Sequence, residues 1–287
     1  MEIIKTNELS DKKINQIRYL FFDSFGKLPT KKDIMSKYSS SFLKFSFHCL
    51  FFDSEENLIG SFVFFPKVFK YKKKEIVGLL LLDTCFPYLG KVNPFLIKKS
   101  VLGLIDYCSK YLGQDCFLYG FPNQKIEKLW NSLLKWKYID SIIPVFDLCP
   151  VLTIIFQKYN LSVTEKELRL KFNGIEKNPR FFSFGESFFK YDSNILNLWL
   201  IKKIFPIQII DNLNVILKPR LITKNNILKI WRLFIPSILA ANSFRKVKKW
   251  QFSLKNKKFP MYILDQNNIF NFKEIIIKPS FLLNDVP

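Results

Sequence analysis

The chain has 287 residues, 48% hydrophobic and 24% charged, which is enough for two globular domains and too apolar for an intrinsically disordered protein. Its formal net charge is +21, but lysine supplies nearly all of the excess and accompanies abundant Ile, Asn and Phe, as in proteins of AT-rich genomes. Because arginine, the residue preferred for phosphate and base contacts, is scarce, we expect no nucleic-acid partner.

The first predicted element is an amphipathic helix over residues 9–25. Ser10 is suited to cap its N-terminus, and Gly26 is suited to end it. The apolar side chains that recur at helical spacing are Ile14, Ile17, Leu20, Phe21 and Phe25.

Strands follow this helix in a predicted antiparallel meander. Residues 45–53 and 58–65 are separated by an acidic turn, and residues 68–71 begin another short turn region. Residues 76–82 are continuously apolar, which is typical of a strand buried on both faces in the middle of a sheet. This central strand ends at Asp83.

Helices and strands alternate after the central strand. A loop over residues 86–94 leads into a predicted helix over residues 95–112, which Gly113 ends. The remaining elements of this half are a strand over 116–119, a turn over 120–123, a helix over 125–136 and a strand over 138–147. This order predicts a mixed α/β fold in which helices flank a central mixed sheet.

The regular pattern loosens after about residue 150, although no glycine-rich linker marks the change. Because the chain is long enough for two domains, we divide it into residues 1–148 and 149–287. The elements predicted for the second half are a strand over 181–191, a helix over 194–205, a hairpin over 207–217 and 221–223, and a helix over 227–241 despite Pro236.

Residue counts exclude several kinds of site. His48 is the only histidine, so histidine-based metal sites and catalytic relays lack their main residue. No apolar run approaches the ~18 residues of a membrane span, and the amino terminus lacks a signal peptide, so we expect a cytoplasmic protein with no membrane partner. Because the chain has only one histidine, we also expect no metal. The cysteines lack C-x-x-C spacing and are expected to be reduced: Cys49, Cys85, Cys108, Cys116 and Cys149.

Four short motifs carry the functional signal. Asp83-Thr84 ends the central strand, residues 86–92 read F-P-Y-L-G-K-V, residues 119–123 read Y-G-F-P-N, and residues 134–136 read L-K-W. A loop leading into a helix N-terminus presents backbone N–H groups and the positive end of the helix dipole, which together suit a pyrophosphate. In this order and spacing, residues 9–147 resemble the GNAT superfamily of acyl-CoA-dependent N-acyltransferases, whose larger members read D-T, H-P-x-Y-R-G-K-G, a helix, Y-G-F-P-N and L-G-W.

The resemblance implies an acyl-CoA site, with acetyl-CoA as the expected donor and an amine of a small metabolite, such as an amino sugar, as the acceptor. Asp83 is the nearest candidate base for the amine, and Tyr88 could protonate the leaving thiolate, although a loop-capping aspartate and a packing tyrosine are the simpler interpretations. The residues expected near the donor are Leu82, Thr84, Cys85, Leu89, Gly90, Lys91, Val92 and Asn123.

Departures from the family pattern leave a second interpretation open. Leu89 replaces the loop arginine, Lys135 replaces the glycine of L-G-W, and Pro94 lacks an N–H. Val92 replaces the second loop glycine, so its Cβ is expected where the family brings bare backbone against phosphate. The charges of Lys91, Lys98 and Lys99 could compensate for the lost backbone contacts to phosphate. If they do not, the chain is a non-catalytic GNAT-like protein that serves an interaction.

Residues 149–287 carry fainter traces of the same pattern. Asp192 to Trp199, followed by Phe205-Pro206, and the closing residues 283–286 look like a degenerate second copy of the fold. The resemblance therefore implies a tandem protein, whose second domain is a degenerate GNAT-like or substrate-binding domain.

Overall fold

The computed structural model describes most of the first 148 residues and shorter stretches after them. The described residues are 1–26, 28–71, 74–87, 89–122, 124–148, 161–163, 181–184, 187–190, 237–242, 249, 251–253 and 259–270. The helices within them are α1 (Asp11–Phe25), α2 (Lys31–Tyr38), α3 (Pro94–Leu112) and α4 (Gln124–Leu134). The strands are β1 (Glu2–Lys5), β2 (Phe47–Phe52), β3 (Leu58–Tyr71), β4 (Lys74–Cys85), β5 (Cys116–Gly120), β6 (Lys137–Asp147), β7 (Leu161–Val163), β8 (Phe181–Phe184), β9 (Ser187–Lys190), β10 (Ser237–Asn242), β11 (Gln251–Ser253) and β12 (Phe259–Leu264).

The chain forms two compact units that are interleaved along the sequence. The first comprises Met1–Phe69, Lys74–Tyr138 and Tyr262–Asn271, and the second comprises Lys70–Lys73, Ile139–Met261 and Phe272–Pro287. A segment near the carboxyl end thus belongs to the first unit. The division into consecutive halves at residue 148 remains a prediction.

The first unit is built on a mixed sheet in which β1, β2, β3, β4, β5 and β12 lie side by side in that order. β2 pairs antiparallel with both β1 and β3. β4 and β5 are parallel, as strands joined by a crossover helix are, and the end of β12 pairs antiparallel with β5. The predicted mixed sheet is therefore confirmed.

β4 is an interior strand with both faces buried, as its continuous apolar run predicts. Leu79 and Leu80, which point to opposite faces, are both fully buried. Burial of such a side chain contributes about 1.5–3 kcal/mol, so β4 anchors the unit. The side chains of α3 that are buried in the same core are Ile97, Val101, Leu104, Ile105 and Cys108.

The helix ends follow the predicted capping residues. The Lys13 N–H donates to the Ser10 hydroxyl at the start of α1, and Gly26 ends α1 with φ +67°. Gly113 ends α3 in the same way, with φ +63°. α2 was not predicted; Thr30 caps it by accepting a hydrogen bond from the Asp33 N–H.

β3 is longer than predicted. Residues 68–71, expected to begin a turn region, continue the strand beyond Pro66. Phe69 is fully buried and packs against Phe117 and Tyr119, with ring centroids 5.4 and 5.3 Å away. The burial of this aromatic side chain outweighs the interruption that a proline in the strand suggests.

The second unit contains two further corrections. Residues 181–191, predicted as one strand, contain β8 and β9, which pair antiparallel with each other. Residues 237–241, predicted as the end of a helix, lie in β10, which pairs with β6. Pro236 disfavours a helix through this point, and pairing with β6 outweighs the helical spacing. The predicted elements over 194–223 and the motifs of the second copy lie outside the described residues.

None of the helices in the described part of the chain is both long and apolar enough to cross a membrane. The same residues contain no group of three or more His, Cys, Asp or Glu side chains that could hold a metal ion. The four described cysteines are buried free thiols: Cys49, Cys85, Cys108 and Cys116.

Candidate functional site

The end of β4 extends past its neighbour β5. Their parallel pairing runs from Val77 opposite Cys116 to Leu80 opposite Tyr119. β5 ends one residue later, at Gly120, whereas β4 continues to Cys85. The last residues of β4 therefore have a backbone edge that β5 no longer pairs with, and such an edge can pair with an extended ligand.

Asp83 bends this part of β4. Its φ is +46°, in the left-handed region that residues with a Cβ avoid, although aspartate and asparagine avoid it least. A left-handed residue within a strand interrupts the regular alternation of side chains and changes the direction of the backbone. The kink at Asp83 thus sets the direction of Thr84 and Cys85.

Two side chains from the end of α2 hold the Asp83 carboxylate. The Tyr38 hydroxyl donates a hydrogen bond to Asp83 Oδ2 over 2.5 Å, and Lys37 Nζ lies 2.7 Å from the same oxygen. The Asp83 side chain is only 15% exposed, so water screens this ion pair less than a surface pair. Sequence reasoning missed both partners; the capping box formed by Thr30 and Asp33 was the signal that could have revealed α2.

The residues that flank Asp83 are buried or half-buried. Leu82 is 8% exposed, Thr84 is intermediate, and Cys85 is fully buried. Burial raises the pKa of the Cys85 thiol to about 12, and the nearby Asp83 charge adds to that rise. Because the thiolate is the nucleophilic form, Cys85 is not suited to covalent catalysis at neutral pH.

Phe86 fixes the chain where it leaves β4. A Cβ at Gly60 on β3 would lie 2.4 Å from two ring atoms of Phe86, so the ring rests directly on glycine backbone. The Phe86 ring also packs against Phe51, with centroids 5.4 Å apart. Gly60, like Lys37 and Tyr38, is a residue of this region that the sequence did not single out.

The loop before α3 has an open side and a buried side. Gly90 lies in a short 3-10 helix, Leu89–Lys91, and a Cβ added to it would have no atom within 4 Å. Val92, by contrast, is 4% exposed and belongs to the main core. The Val92 side chain is directed into the core, and the expectation that its Cβ lies at the phosphate position stays a prediction. The backbone of Gly90 remains open to a ligand.

The start of α3 offers few free backbone N–H groups to a ligand. Pro94 has no N–H, and the Phe95 N–H donates to Asn93 Oδ1 over 2.9 Å. Two of the amides that a helix N-terminus commonly offers to an anion are thus absent or occupied. Positive charge nearby comes from Lys91 and Lys99, both exposed, and from the half-exposed Lys98.

Lys91 lies near the turn between β2 and β3. Hydrogen bonds from Asn57 are the main cause that lowers the pKa of Asp53, and the charge of Lys91 lowers it further.

Lys135 has φ +51°, so it adopts the left-handed conformation at the position where the family has glycine. This conformation supports the alignment of L-K-W with the family's L-G-W.

The structure brings the predicted residues into two adjoining stretches of chain. Leu82, Asp83, Thr84 and Cys85 form the kinked end of β4, and Leu89, Gly90 and Lys91 form the 3-10 helix before α3. Tyr88 and Asn123 lie outside the described residues, and their roles stay predictions.

Comparison with solved structures identifies the fold. A GCN5-related N-acetyltransferase from Anabaena variabilis ATCC 29413 matches with a TM-score of 0.50 and 7% identity, over 92% of this chain and 73% of that one. A conserved protein of unknown function from Enterococcus faecalis V583 has a TM-score of 0.36 and 12% identity, over 52% of this chain. This chain spans 35% of the length of the Enterococcus protein. Saccharomyces cerevisiae N-myristoyltransferase with bound myristoyl-CoA has a TM-score of 0.32 and 11% identity, over 81% of this chain and 52% of that one.

No protein-family model matches this chain, and no curated protein matches it in sequence. At 7% identity the Anabaena structure shows a shared fold rather than a shared activity. The chain has the mixed α+β fold of the GNAT superfamily, as its motifs imply. The tandem arrangement remains a prediction.

Proposed function

We propose that this chain, which has the GNAT fold, is an N-acyltransferase that moves an acyl group from acyl-CoA to an amine of a small molecule. The observation that carries the proposal is the end of β4, which continues to Cys85 after its pairing with β5 stops at Leu80. Acetyl-CoA is the donor we expect, and small metabolites such as amino sugars are the expected acceptors.

The end of β4 suits this chemistry through its backbone. The pantetheine amides of the donor would pair with backbone groups of Leu82 to Cys85, and an N–H among them would polarise the thioester carbonyl. The acceptor amine then attacks the carbonyl carbon, the C–S bond breaks, and the CoA thiolate takes up a proton. Positioning and charge stabilisation supply most of the rate enhancement in such a direct transfer.

Removal of the amine proton requires a base, for which Asp83 remains a candidate and Tyr88 a candidate partner in protonating the thiolate. Tyr38 and Lys37 both contact Oδ2 of the Asp83 carboxylate, and a carboxylate has further acceptor sites, so Asp83 could accept the amine proton while it keeps these two contacts. A water that carries the proton to solvent would serve the same purpose.

The diphosphate end of the donor would lie at the loop before α3. The space beside Gly90 is open, and Lys91 and Lys99 are exposed there. Backbone N–H groups of the loop and these point charges are the features that fit an anion.

A second candidate function is a non-catalytic GNAT-like protein with an eroded cofactor loop. The start of α3 favours it, because Pro94 has no N–H and Asn93 occupies the Phe95 N–H. The two candidates differ in whether acyl-CoA binds at all.

Thermal unfolding with and without acetyl-CoA separates these functions. Ligand at ~100 times its Kd adds ~2.7 kcal/mol to the free energy of unfolding, so the wild type should melt several degrees higher. Gly90→Ala should not lower the ligand-free melting temperature, since its Cβ meets no atom, but should weaken the ligand-induced shift. Gly103→Ala, which also meets no atom and lies within α3, is the matched control and should retain the full shift.

A transfer assay then tests the reaction itself. Release of the CoA thiol should depend on adding a small amine such as an amino sugar, and its N-acetylated form, which lacks the free amine, should release none. Acetyl-CoA that binds without amine-dependent thiol release would support the non-catalytic function, and absence of any binding would end the acyltransferase proposal.

A further inference from the structure

Side chains from α2 contact Asp83 at the kink in β4. Tyr38 is fully buried, and its hydroxyl reaches Asp83 Oδ2 over 2.5 Å, while Lys37 reaches the same oxygen over 2.7 Å. Both residues lie at the carboxyl end of α2, whereas Asp83 lies in β4. Two charge-assisted contacts therefore join α2 to the one left-handed residue described in β4.

The Tyr38 ring is itself held in place. His48 on β2 contacts it edge-to-face with ring centroids 4.7 Å apart, and Ser46 donates its hydroxyl to the Tyr38 carbonyl over 2.8 Å. His48 is also buried, with Thr6 Oγ1 3.0 Å from its Nε2. The phenol therefore has little freedom to turn away from Asp83.

The backbone of Asp83 needs such support. A left-handed φ brings the Cβ close to backbone oxygen, and a residue in a strand would otherwise relax to extended geometry. Relaxation would realign Thr84 and Cys85 with the rest of β4 and would change the edge that β5 has left. Conformations of this kind persist where the surroundings hold them.

We propose that Lys37 and Tyr38 are positioning residues: by gripping the Asp83 carboxylate they hold the kink that presents the end of β4 to the acyl donor. This inference rests on the proposed function, because it assigns the kinked edge to acyl-CoA. It gives Asp83 a role that requires no proton transfer, and it explains why both partners come from α2. Neither Lys37 nor Tyr38 touches the donor in this arrangement.

The test compares Asp83→Gly with Asp83→Ala. Both variants lose the carboxylate, hence the grip and any base, but only glycine adopts a left-handed φ without strain. Asp83→Gly should bind acetyl-CoA about tenfold more tightly than Asp83→Ala, because a smaller populated fraction of the kinked state raises the apparent Kd in proportion. Calorimetric titration with acetyl-CoA measures both constants.

Tyr38→Phe tests the grip from the other side. It keeps the buried ring and removes the hydroxyl, and it should weaken acetyl-CoA binding severalfold. In the double variant Tyr38→Phe with Asp83→Gly, the tyrosine change should cost little further acetyl-CoA affinity, since the proposal has the Tyr38 hydroxyl act on binding through the Asp83 carboxylate. Tyr19→Phe, at an exposed position of α1, is the control and should bind as the wild type does.

Melting temperatures measured without acetyl-CoA test the conformation of Asp83 independently of the proposed function. Asp83→Gly should melt higher than Asp83→Ala, the reverse of the usual order in a strand. Equal melting temperatures and equal affinities for the glycine and alanine variants would overturn the inference, as would a Tyr38→Phe variant with wild-type affinity. If the wild type binds no acetyl-CoA but the melting order holds, Asp83 is left-handed as described, and the acyltransferase proposal fails together with the role of the kink in presenting β4 to the donor.

Discussion

The end of β4 and the start of α3 are the two places where this fold could hold the donor, and they differ in what they offer. The end of β4 has an edge that β5 leaves after Leu80, and side chains from α2 hold its kink. The start of α3 has Pro94 and a capping Asn93, which leave fewer amides for an anion. If the chain binds acyl-CoA as proposed, we expect backbone pairing along β4 to contribute more to donor binding than the helix N-terminus does.

The largest effect we predict is a pH dependence of stability caused by His48, whose ring packs against Tyr38. Burial lowers the pKa of His48 to about 3, against ~6.5 in an unfolded chain. The unfolded chain therefore takes up a proton that the folded chain does not, and stability is lost as the pH falls from 6.5 towards 3. Between pH 6.5 and 4.5 the loss should be about 2 kcal/mol, measured by urea unfolding at each pH.

A His48→Gln variant is the control for this pH dependence. It lacks the titrating ring, so its free energy of unfolding should change much less over the same interval, whatever its value at neutral pH. Asp33 and Asp53, whose pKa values hydrogen bonds lower, affect stability at more acidic pH than this interval. Parallel curves for the wild type and His48→Gln would show that His48 is not a buried neutral ring.

An intermediate effect is expected from Gly60→Ala in β3, beneath the Phe86 ring that follows β4. The new Cβ would lie 2.4 Å from the Phe86 ring, so the ring must move and overpacking should cost about 1–3 kcal/mol. Because Phe86 follows β4 directly, acetyl-CoA binding should weaken as well. Gly103→Ala, with open space around its Cβ, should instead stabilise α3 by about 0.5–1 kcal/mol. Similar melting temperatures for the two variants would contradict the close packing of Phe86 on Gly60.

The smallest effect is expected at the start of α3. Pro94→Ala restores an N–H at the first position of the helix, so the affinity for acetyl-CoA should rise about two- to fivefold if that amide faces the diphosphate. Titration calorimetry against the wild type measures the change. A gain larger than the loss caused by Asp83→Ala would reverse the order of importance that we assign to the two regions.

Local patterns in the sequence predicted much of the first unit. Helical spacing with Ser10, Gly26 and Gly113 marked the ends of α1 and α3, and the apolar run over residues 76–82 marked the interior strand. These features depend on neighbours along the chain, which a single sequence displays.

Features that depend on distant contacts were not predicted. The kink at Asp83 is held by Lys37 and Tyr38, which precede it by more than forty residues, and no local pattern announces a left-handed aspartate. The sequence led us to expect the Cβ of Val92 at the phosphate position, but it did not predict that the Val92 side chain is buried in the core. Residues 237–241 carry helical spacing, yet their pairing with β6 makes them a strand.

Amide hydrogen exchange with and without acetyl-CoA tests most directly whether the donor pairs with β4. We predict that the ligand slows exchange most at residues 82–85, less at residues 89–91, and least at residues 95–97, where Asn93 already engages the amides of Phe95 and Ile97. Binding of acetyl-CoA that leaves exchange at residues 82–85 unchanged would contradict a donor site at the end of β4.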